Sequence, residues 1–243
     1  MTDLVRIVLI DPSHPGNIGS VARAMKNMAL SDLVLVRPRS FPHPESVALA
    51  AGADDILTNA RVVDSVAAAI ADCAFIAGTT SRRRSYYWEF TTPRDVAGRI
   101  VALGQENRAA LLFGSERYGL ATEDLNLCNV LVRIPANPEY CSLNLAMSVQ
   151  LAAYEIFLAR EQPKSHMQLE MALAPSGDVE HFYAHLLEVL EEIDFDDRTG
   201  HLMERLRRLF NRAQLDRNEL NILRGILSAV QGRRGQAAQR SRK

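Results

Sequence analysis

Residues 5–36, VRIVLIDPSHPGNIGSVARAMKNMALSDLVLV, place two apolar runs of strand character around a segment in which Ile18, Val21, Ala22, Met25 and Met28 recur at helical spacing. That spacing leaves Asn17, Arg23 and Lys26 free to face elsewhere. Strand, helix and strand in so short a stretch read as a βαβ unit, whose parallel strands need a crossover connection. Working outward, CAFIAG (73–78), AALLF (109–113) and VLVRI (130–134) repeat the strand character, with helical patterns between them. Several such units predict an α/β fold: a mainly parallel sheet covered by helices, with functional loops at the carboxyl ends of its strands.

The 243 residues, 47% of them hydrophobic, can bury a large core, and no polar low-complexity bulk interrupts them. The opening apolar run is too short to span a membrane and has neither a basic leader nor a small-residue cleavage site, so a cytoplasmic protein without a membrane partner is expected. Cys73, Cys128 and Cys141 share no metal-type spacing, and their odd number suggests no disulfide framework. Neither a metal nor a disulfide is expected.

After Tyr154 the pattern changes. Pro163, Pro175 and Gly177 fall in a stretch of weak periodicity, which predicts a sheet domain over 1–160, a linker over 161–177, a helical extension over 178–232 and a flexible basic tail over 233–243. Three apolar faces define the extension: Phe182, Leu186, Val189 and Ile193; Leu202, Leu206 and Leu209; and Leu220, Leu223, Leu227 and Val230. Asp216 and Glu219 have capping-box spacing before the last of these. Charge is segregated along this region. From Glu161 to Gly200 ten acidic residues face Lys164 and Arg198, whereas from His201 to Lys243 eleven Lys or Arg face Glu204, Asp216 and Glu219. Such a basic block suits a polyanion, and suits equally a solvated helix face.

Three segments carry the chemistry. Asn17 and Arg23 in HPGNIGSVARAMKNM, Gly114 and Glu116 in LLFGSERYGL, and Ser142 and Asn144 in IPANPEYCSLNLAMSVQL each follow an apolar run, so all three can meet at one strand-end crevice. DPSHPGNIGS lacks the glycine pattern that brings backbone up to a dinucleotide pyrophosphate, leaving Gly16 and Gly19 as packing or turn glycines. FGSERYG lacks the Lys-Ser/Thr ending of a phosphate loop. Nicotinamide-dependent oxidoreductase and ATPase chemistry are therefore poor readings. At the third segment the residues leave two options open: helix-start donors that bind a ligand, or ordinary amino-terminal capping by Ser142.

In combination, Asn17 to Arg23, Gly114 to Leu120 and Ser142 to Asn144 resemble the SPOUT superfamily of RNA methyltransferases and, within it, the TrmH-like ribose methylators. With RRLFNRAQLDRNELNILRGIL near the end, the resemblance extends over nearly the whole chain, to the branch that methylates the ribose of nucleotide 32, cytidine or uridine, in the tRNA anticodon loop. The resemblance implies a sheet whose carboxyl-terminal part is threaded into a deep trefoil knot. It implies S-adenosylmethionine bound by Thr79, Thr80, Ser81, Gly114, Glu116, Ile134, Cys141, Ser142, Leu143 and Asn144. It also implies a homodimer in which Arg23 enters the opposite subunit's site. Cys141 is a departure, standing where close relatives have a second Ser.

Transfer to a ribose hydroxyl needs in-line placement, removal of the 2′-OH proton and stabilisation of the developing alkoxide, none of which requires a metal. Related enzymes are proposed to use the counterpart of Arg23 as base, but a guanidinium stays protonated in proteins, so stabilisation of the alkoxide by Arg23 is the favoured role. Asn17 would orient it, and Ser142 would hold the ribose or its proton. Arg82, Arg83 and Arg84, followed by Tyr86, Tyr87 and Trp88, suit a single-stranded RNA loop, with the bland alternative an exposed basic turn. Two other functions stay open: a ribosomal RNA ribose as substrate, or a non-catalytic RNA-binding relative.

Overall fold

A computed structural model describes residues 4–81, 89–104, 106–161, 172–195 and 200–240, with side chains as far as 232. β1 (Val5–Ile10) is buried along its whole length, as a strand covered on both faces must be, and pairs in parallel with β2 (Asp32–Val36). Between them α1 (Pro15–Asn27) starts at a proline, whose missing N–H would be unpaired there anyway, and buries Ile18, Val21, Ala22 and Met25. Gly19 is a packing glycine: a Cβ on it would fall 2.1 Å from the Ser46 carbonyl oxygen of α2 (Pro44–Ala50).

The chain continues through α3 (Asp54–Asn59), β3 (Arg61–Val63), α4 (Val66–Ile70), β4 (Phe75–Thr79), β5 (Phe90–Thr91), α5 (Pro93–Ala102), β6 (Ala109–Phe113), α6 (Thr122–Leu125), β7 (Val130–Val132) and α7 (Leu145–Glu161). The described strands form one seven-stranded sheet, in the order β3-β2-β1-β6-β4-β7-β5, with every pairing parallel. The α/β expectation holds. β3 and β5 add two edge strands that no apolar run announces, because one is three residues long and mostly exposed and the other only two residues long.

Helices cover both faces. Ile7, Leu9, Leu33, Leu35, Leu111 and Phe113 point to one core with α1, α5 and α7, while Val8, Ile10, Val34, Val36, Ala110 and Leu112 point to the other with α4 and α6. This is the period-two alternation of a doubly covered sheet. At the amino end of the strands Arg6 is buried, donating to Asp32 (2.9 Å), to both carboxylate oxygens of Asp72 (2.5 and 3.1 Å) and to the Ala69 carbonyl (2.7 Å). Arg108 adds a bond to Asp72 at 2.5 Å. Burial opposes ionisation of Asp72, but Arg6 and Arg108 outweigh it and bring its carboxyl down to about 2.

Beyond the sheet, Leu173 joins the main core, its N–H held by Asn107 Oδ1 at 2.9 Å. α8 (Ser176–Glu192), α9 (Leu202–Ala213) and α10 (Arg217–Arg240) then build a separate core around Phe182, Tyr183, Val189, Leu220 and Leu227. Asp216 and Glu219 form the expected reciprocal cap, at 2.8 and 3.0 Å. The inward face of α9 differs from the expected leucine stripe. Met203 and Phe210 face the core and Leu209 is 47% exposed, because the Tyr183 hydroxyl donates to Asn211 Oδ1 at 2.8 Å and turns that side of the helix inward. Val230 is likewise exposed. α10 runs to Arg240, into the stretch expected as a flexible basic tail.

Candidate functional site

Glu116 lies just past the end of β6 and gathers donors from the loop after β1. Its carboxylate accepts from the Ser13 N–H (2.9 Å), the Ser13 hydroxyl (2.8 Å), the His14 N–H (3.3 Å) and Asn17 Nδ2 (2.9 Å). Burial would raise this carboxyl; the donors from Asn17 and Ser13 outweigh it and hold it below the usual glutamate range. β1 and β6 are neighbours at the point where the strand order reverses, so the contact spans the switch point at which open parallel sheets bind ligands.

The same amide of Asn17 reaches the third segment: its Oδ1 accepts from Asn144 Nδ2 at 3.0 Å. Asn144 Oδ1 in turn accepts from the Ala146 and Met147 N–H groups (2.9 and 3.4 Å), capping α7. The cap is therefore Asn144 and not Ser142, and it occupies donors at that helix start which would otherwise be open to a ligand. Ser142 is released from the capping role.

Beside this chain of bonds, the carboxyl ends of β4, β6 and β7 surround a cleft of about 310 Å³. Thr79, Thr80 and Ser81 line one side, Gly114 and Glu116 a second, and Ile134, Cys141, Ser142 and Leu143 a third; Asn144 is absent from the lining. Phe113, Val132 and Leu145 add apolar surface, and Ser115 and Ser148 add hydroxyls. Gly114 is required here. The chain doubles back through the Ser115–Gly119 bridge, and a Cβ on Gly114 would lie 2.1 Å from the Gly119 carbonyl carbon and 2.2 Å from the Leu120 nitrogen.

Arg23 is elsewhere. It lies exposed on α1, among Ser20, Asn27, Leu143, Met147 and Leu151, on a shallow surface between α1 and α7. Leu143 lines both this surface and the cleft, so the two are adjacent. Among the described residues no hydrogen bond or ion pair engages Arg23. Arg82, Arg83 and Arg84, with Tyr86, Tyr87 and Trp88, lie outside the described residues.

Three contributors escaped the sequence reading. Ser13 and His14 hold Glu116 through backbone N–H groups, which no side-chain pattern announces, and the Ser13 hydroxyl adds a third bond. Tyr118 lines the cleft at its rim, 62% exposed, with the Arg117 guanidinium 5.1 Å from its ring centre. Its place in the tight turn after Gly114 was the only available signal.

Residues 4–154 match the model of the SpoU rRNA methylase family, and residues 177–243 that of the tRNA methyltransferase TrmJ C-terminal domain. A tRNA (cytidine/uridine-2′-O-)-methyltransferase TrmJ of Photorhabdus laumondii is 45% identical over 236 residues, covering 95% of this chain and 98% of its own. A Pseudomonas aeruginosa relative named tRNA (cytidine/uridine/adenosine-2′-O-)-methyltransferase TrmJ is also 45% identical, over 95% of each chain. The crystal structure of TrmJ from Z. mobilis ZM4 superposes with a TM-score of 0.81 at 36% identity, over 93% of this chain and 98% of that one.

Proposed function

Because the chain belongs to the SpoU methylase family, we propose that it is a homodimeric tRNA 2′-O-methyltransferase that uses S-adenosylmethionine to methylate the ribose of nucleotide 32, cytidine or uridine, in the anticodon loop. The observation that carries this reading is the bonded series Glu116–Asn17–Asn144, which joins three separate segments beside one strand-end cleft.

The cleft's residues fit the cofactor. About 310 Å³ lies within the range of small-ligand sites, its apolar floor suits a nucleoside, and its threonine and serine rim supplies hydrogen bonds. Gly114 lets the chain double back against Gly119 and Leu120, which shapes this wall of the cleft. On this reading Thr79, Thr80, Ser81, Gly114, Glu116, Ile134, Cys141, Ser142 and Leu143 hold the cofactor, whose contribution is an electrophilic methyl group on a sulfonium sulfur. Asn144 acts from behind the wall, by holding Asn17 and the start of α7.

Ser142, free of capping duty, binds the ribose at its 2′-hydroxyl, and a guanidinium stabilises the oxygen as its proton passes to solvent water. Arg23 is too basic to take that proton and serves as the cation. Its position outside its own chain's cleft supports delivery from a second subunit. So do the exposed Met147, Leu151 and Tyr154 on α7, which leave an apolar face beside Arg23. Asn17 positions the cleft wall through Glu116 and Asn144 and acts on the reaction through them. Residues 1–160 carry the transfer, residues 178–232 assist tRNA binding, and Arg82, Arg83 and Arg84 contact the loop. The family's knotted threading is carried with this reading.

A ribosomal RNA ribose is the second reading, favoured by the description of the family matched over 4–154. Labelled S-adenosylmethionine incubated with unmodified tRNA and, separately, ribosomal RNA decides between them after nuclease mapping. A 2′-O-methyl mark at nucleotide 32 of tRNA is expected. Label in ribosomal RNA alone transfers the assignment to the second reading, and cofactor binding without label in either overturns both.

A further inference from the structure

Of the two aromatic residues that line the cleft, Phe113 is buried and Tyr118 is 62% exposed at the rim. A tyrosine ring stabilises most when it is covered, and a large ring left open beside a cleft marks an interface. Among the described residues no second aromatic ring packs against it, and its hydroxyl has no hydrogen-bond partner. The Arg117 guanidinium lies 5.1 Å from the ring centre, within cation–π range, and no described carboxylate pairs with that cation.

The turn that carries the pair is firmly tied. The Gly119 N–H donates to the Ser115 carbonyl (2.8 Å), the Tyr118 N–H donates to the Ser115 hydroxyl (3.3 Å), and Gly119 closes the turn at φ 67°, where glycine is favoured. Within it, Glu116 is bound to the loop after β1 by the four bonds described above. The helical extension docks elsewhere. Asn129 Nδ2 donates to the Asn211 carbonyl (2.8 Å) and Asn211 Nδ2 to the Asn126 carbonyl (3.0 Å), both at the amino end of β7, whereas the cleft opens at its carboxyl end. Tyr118 is therefore presented from a fixed backbone with its ring uncovered.

We propose that Tyr118 is the platform on which the base of the target nucleotide stacks, with Arg117 taking an adjoining phosphate. The proposal rests on the methyltransferase reading above and names the residues that orient its RNA. A nucleotide combines a planar base with an anionic ester, and residues 117 and 118 offer a free cation and a planar ring side by side. Ser142 lines the same cleft, so a nucleotide whose ribose is held there has its base beside the rim. A base in an unpaired loop can leave its neighbours and stack on an aromatic face. Stacking fixes the plane of the base and with it the direction of the ribose oxygen, which in-line transfer requires. Every base has such a face, so Tyr118 sets orientation and leaves the choice of base to other groups.

The test uses the full-length protein, with steady-state transfer to unmodified tRNA, tRNA affinity across a salt series, and calorimetry of S-adenosylmethionine binding. Tyr118→Leu is expected to lower kcat/KM for tRNA about tenfold, whereas Tyr118→Phe and Tyr118→Trp stay within about twofold of wild type, because a flat ring is what the base needs. Arg117→Ala is expected to reduce the salt slope of tRNA binding by about one, a slope that Tyr118→Leu leaves unchanged. Cofactor affinity, melting temperature and subunit association keep their wild-type values in all four variants. Wild-type kcat/KM in Tyr118→Leu, with tRNA still methylated, would overturn the platform and spare the methyltransferase. Weaker cofactor binding or dissociated subunits in that variant would give the ring to the cofactor or to a subunit contact, and would overturn the platform too. If the wild-type protein labels ribosomal RNA alone, an equal loss there in Tyr118→Leu keeps the platform and overturns the tRNA substrate; no label in either RNA overturns both.

Discussion

Asn17 and Glu116 lie 99 positions apart in the chain and meet through a single Nδ2–Oε1 hydrogen bond of 2.9 Å, which ties the loop after β1 to the turn after β6. Because the other end of the same amide accepts from Asn144, neither oxygen nor nitrogen of Asn17 is interchangeable.

Asn17→Asp keeps the acceptor for Asn144 and replaces the donor with a second carboxylate facing Glu116. Two close carboxylates cannot both ionise cheaply, so one will hold a proton near neutrality. Cofactor affinity, read by calorimetry, is expected to fall by about tenfold at pH 8 and to recover toward pH 5.5, where one carboxyl protonates and donates in place of the amide. An equal loss at both pH values would show that the bond does not organise the cleft.

In the wild type the sign is the opposite. Donors hold the Glu116 carboxyl below its ordinary 4.5, so its contribution is complete above that value and is lost only as pH falls through its lowered one. Cofactor affinity should be flat from pH 8 to 5. An acid limb centred near 6 would assign control to another group.

Gly114→Ala tests the doubled-back turn. Its methyl would meet backbone at 2.1 Å, and backbone there cannot retreat without opening the Ser115–Gly119 bridge. Overpacking of this kind costs about 1–3 kcal/mol, and cofactor binding should be abolished while the far core persists. Retained affinity would mean that the turn is looser than its geometry.

For Arg23 the decisive experiment is complementation. Arg23→Ala and Ser142→Ala are each expected to lose transfer while remaining folded. If Arg23 acts across subunits, mixing them restores about a quarter of wild-type activity, since half the exchanged dimers hold one intact site of two. No recovery after demonstrated subunit exchange would confine Arg23 to its own chain.

Arg6 bears on stability alone. Arg6→Ala leaves Asp32 and Asp72 facing Arg108 without their principal donor; because Asp72 is half-exposed and keeps Arg108, the expected loss is that of charge-assisted hydrogen bonds, about 1.5–3 kcal/mol. The Asp72 carboxyl is held at about 2 against an ordinary 3.8, so it stabilises the fold above 3.8 and that stability is lost as pH falls toward 2. Acid unfolding of Asp72→Asn should lack this component.

Much of this was legible in the sequence, for identifiable reasons. The runs at 5–10, 32–36 and 109–113 became strands because their apolar content is continuous, and Ile18, Val21, Ala22 and Met25 were buried as their spacing required. Residues that work through side chains, such as Asn17, Glu116 and Asn144, stood out as polar groups after such runs. What stayed hidden acts through backbone or through tertiary contact. Ser13 and His14 donate main-chain N–H groups, β5 is set by pairing with β7 and not by its own two residues, and the orientation of α9 is decided by Tyr183, which belongs to another helix. The α7 cap likewise falls to Asn144 over Ser142 through tertiary placement, since both are good caps by type.

The side-chain amide bonds from Asn129 to the Asn211 carbonyl and from Asn211 to the Asn126 carbonyl have a consequence for engineering. A helical extension fastened to its neighbour by apolar contact alone can be transplanted onto any greasy surface of similar shape. Here the fastening is stereospecific and, through Asn129, reaches the Ile76 amide inside the sheet, so a graft of residues 172–240 onto a foreign scaffold would leave the Asn211 amide without the Asn126 carbonyl. A chimera that keeps residues 126–129 together with Asn211 should retain the relative placement of sheet and extension, and loss of either asparagine removes one of the two bonds while leaving the other.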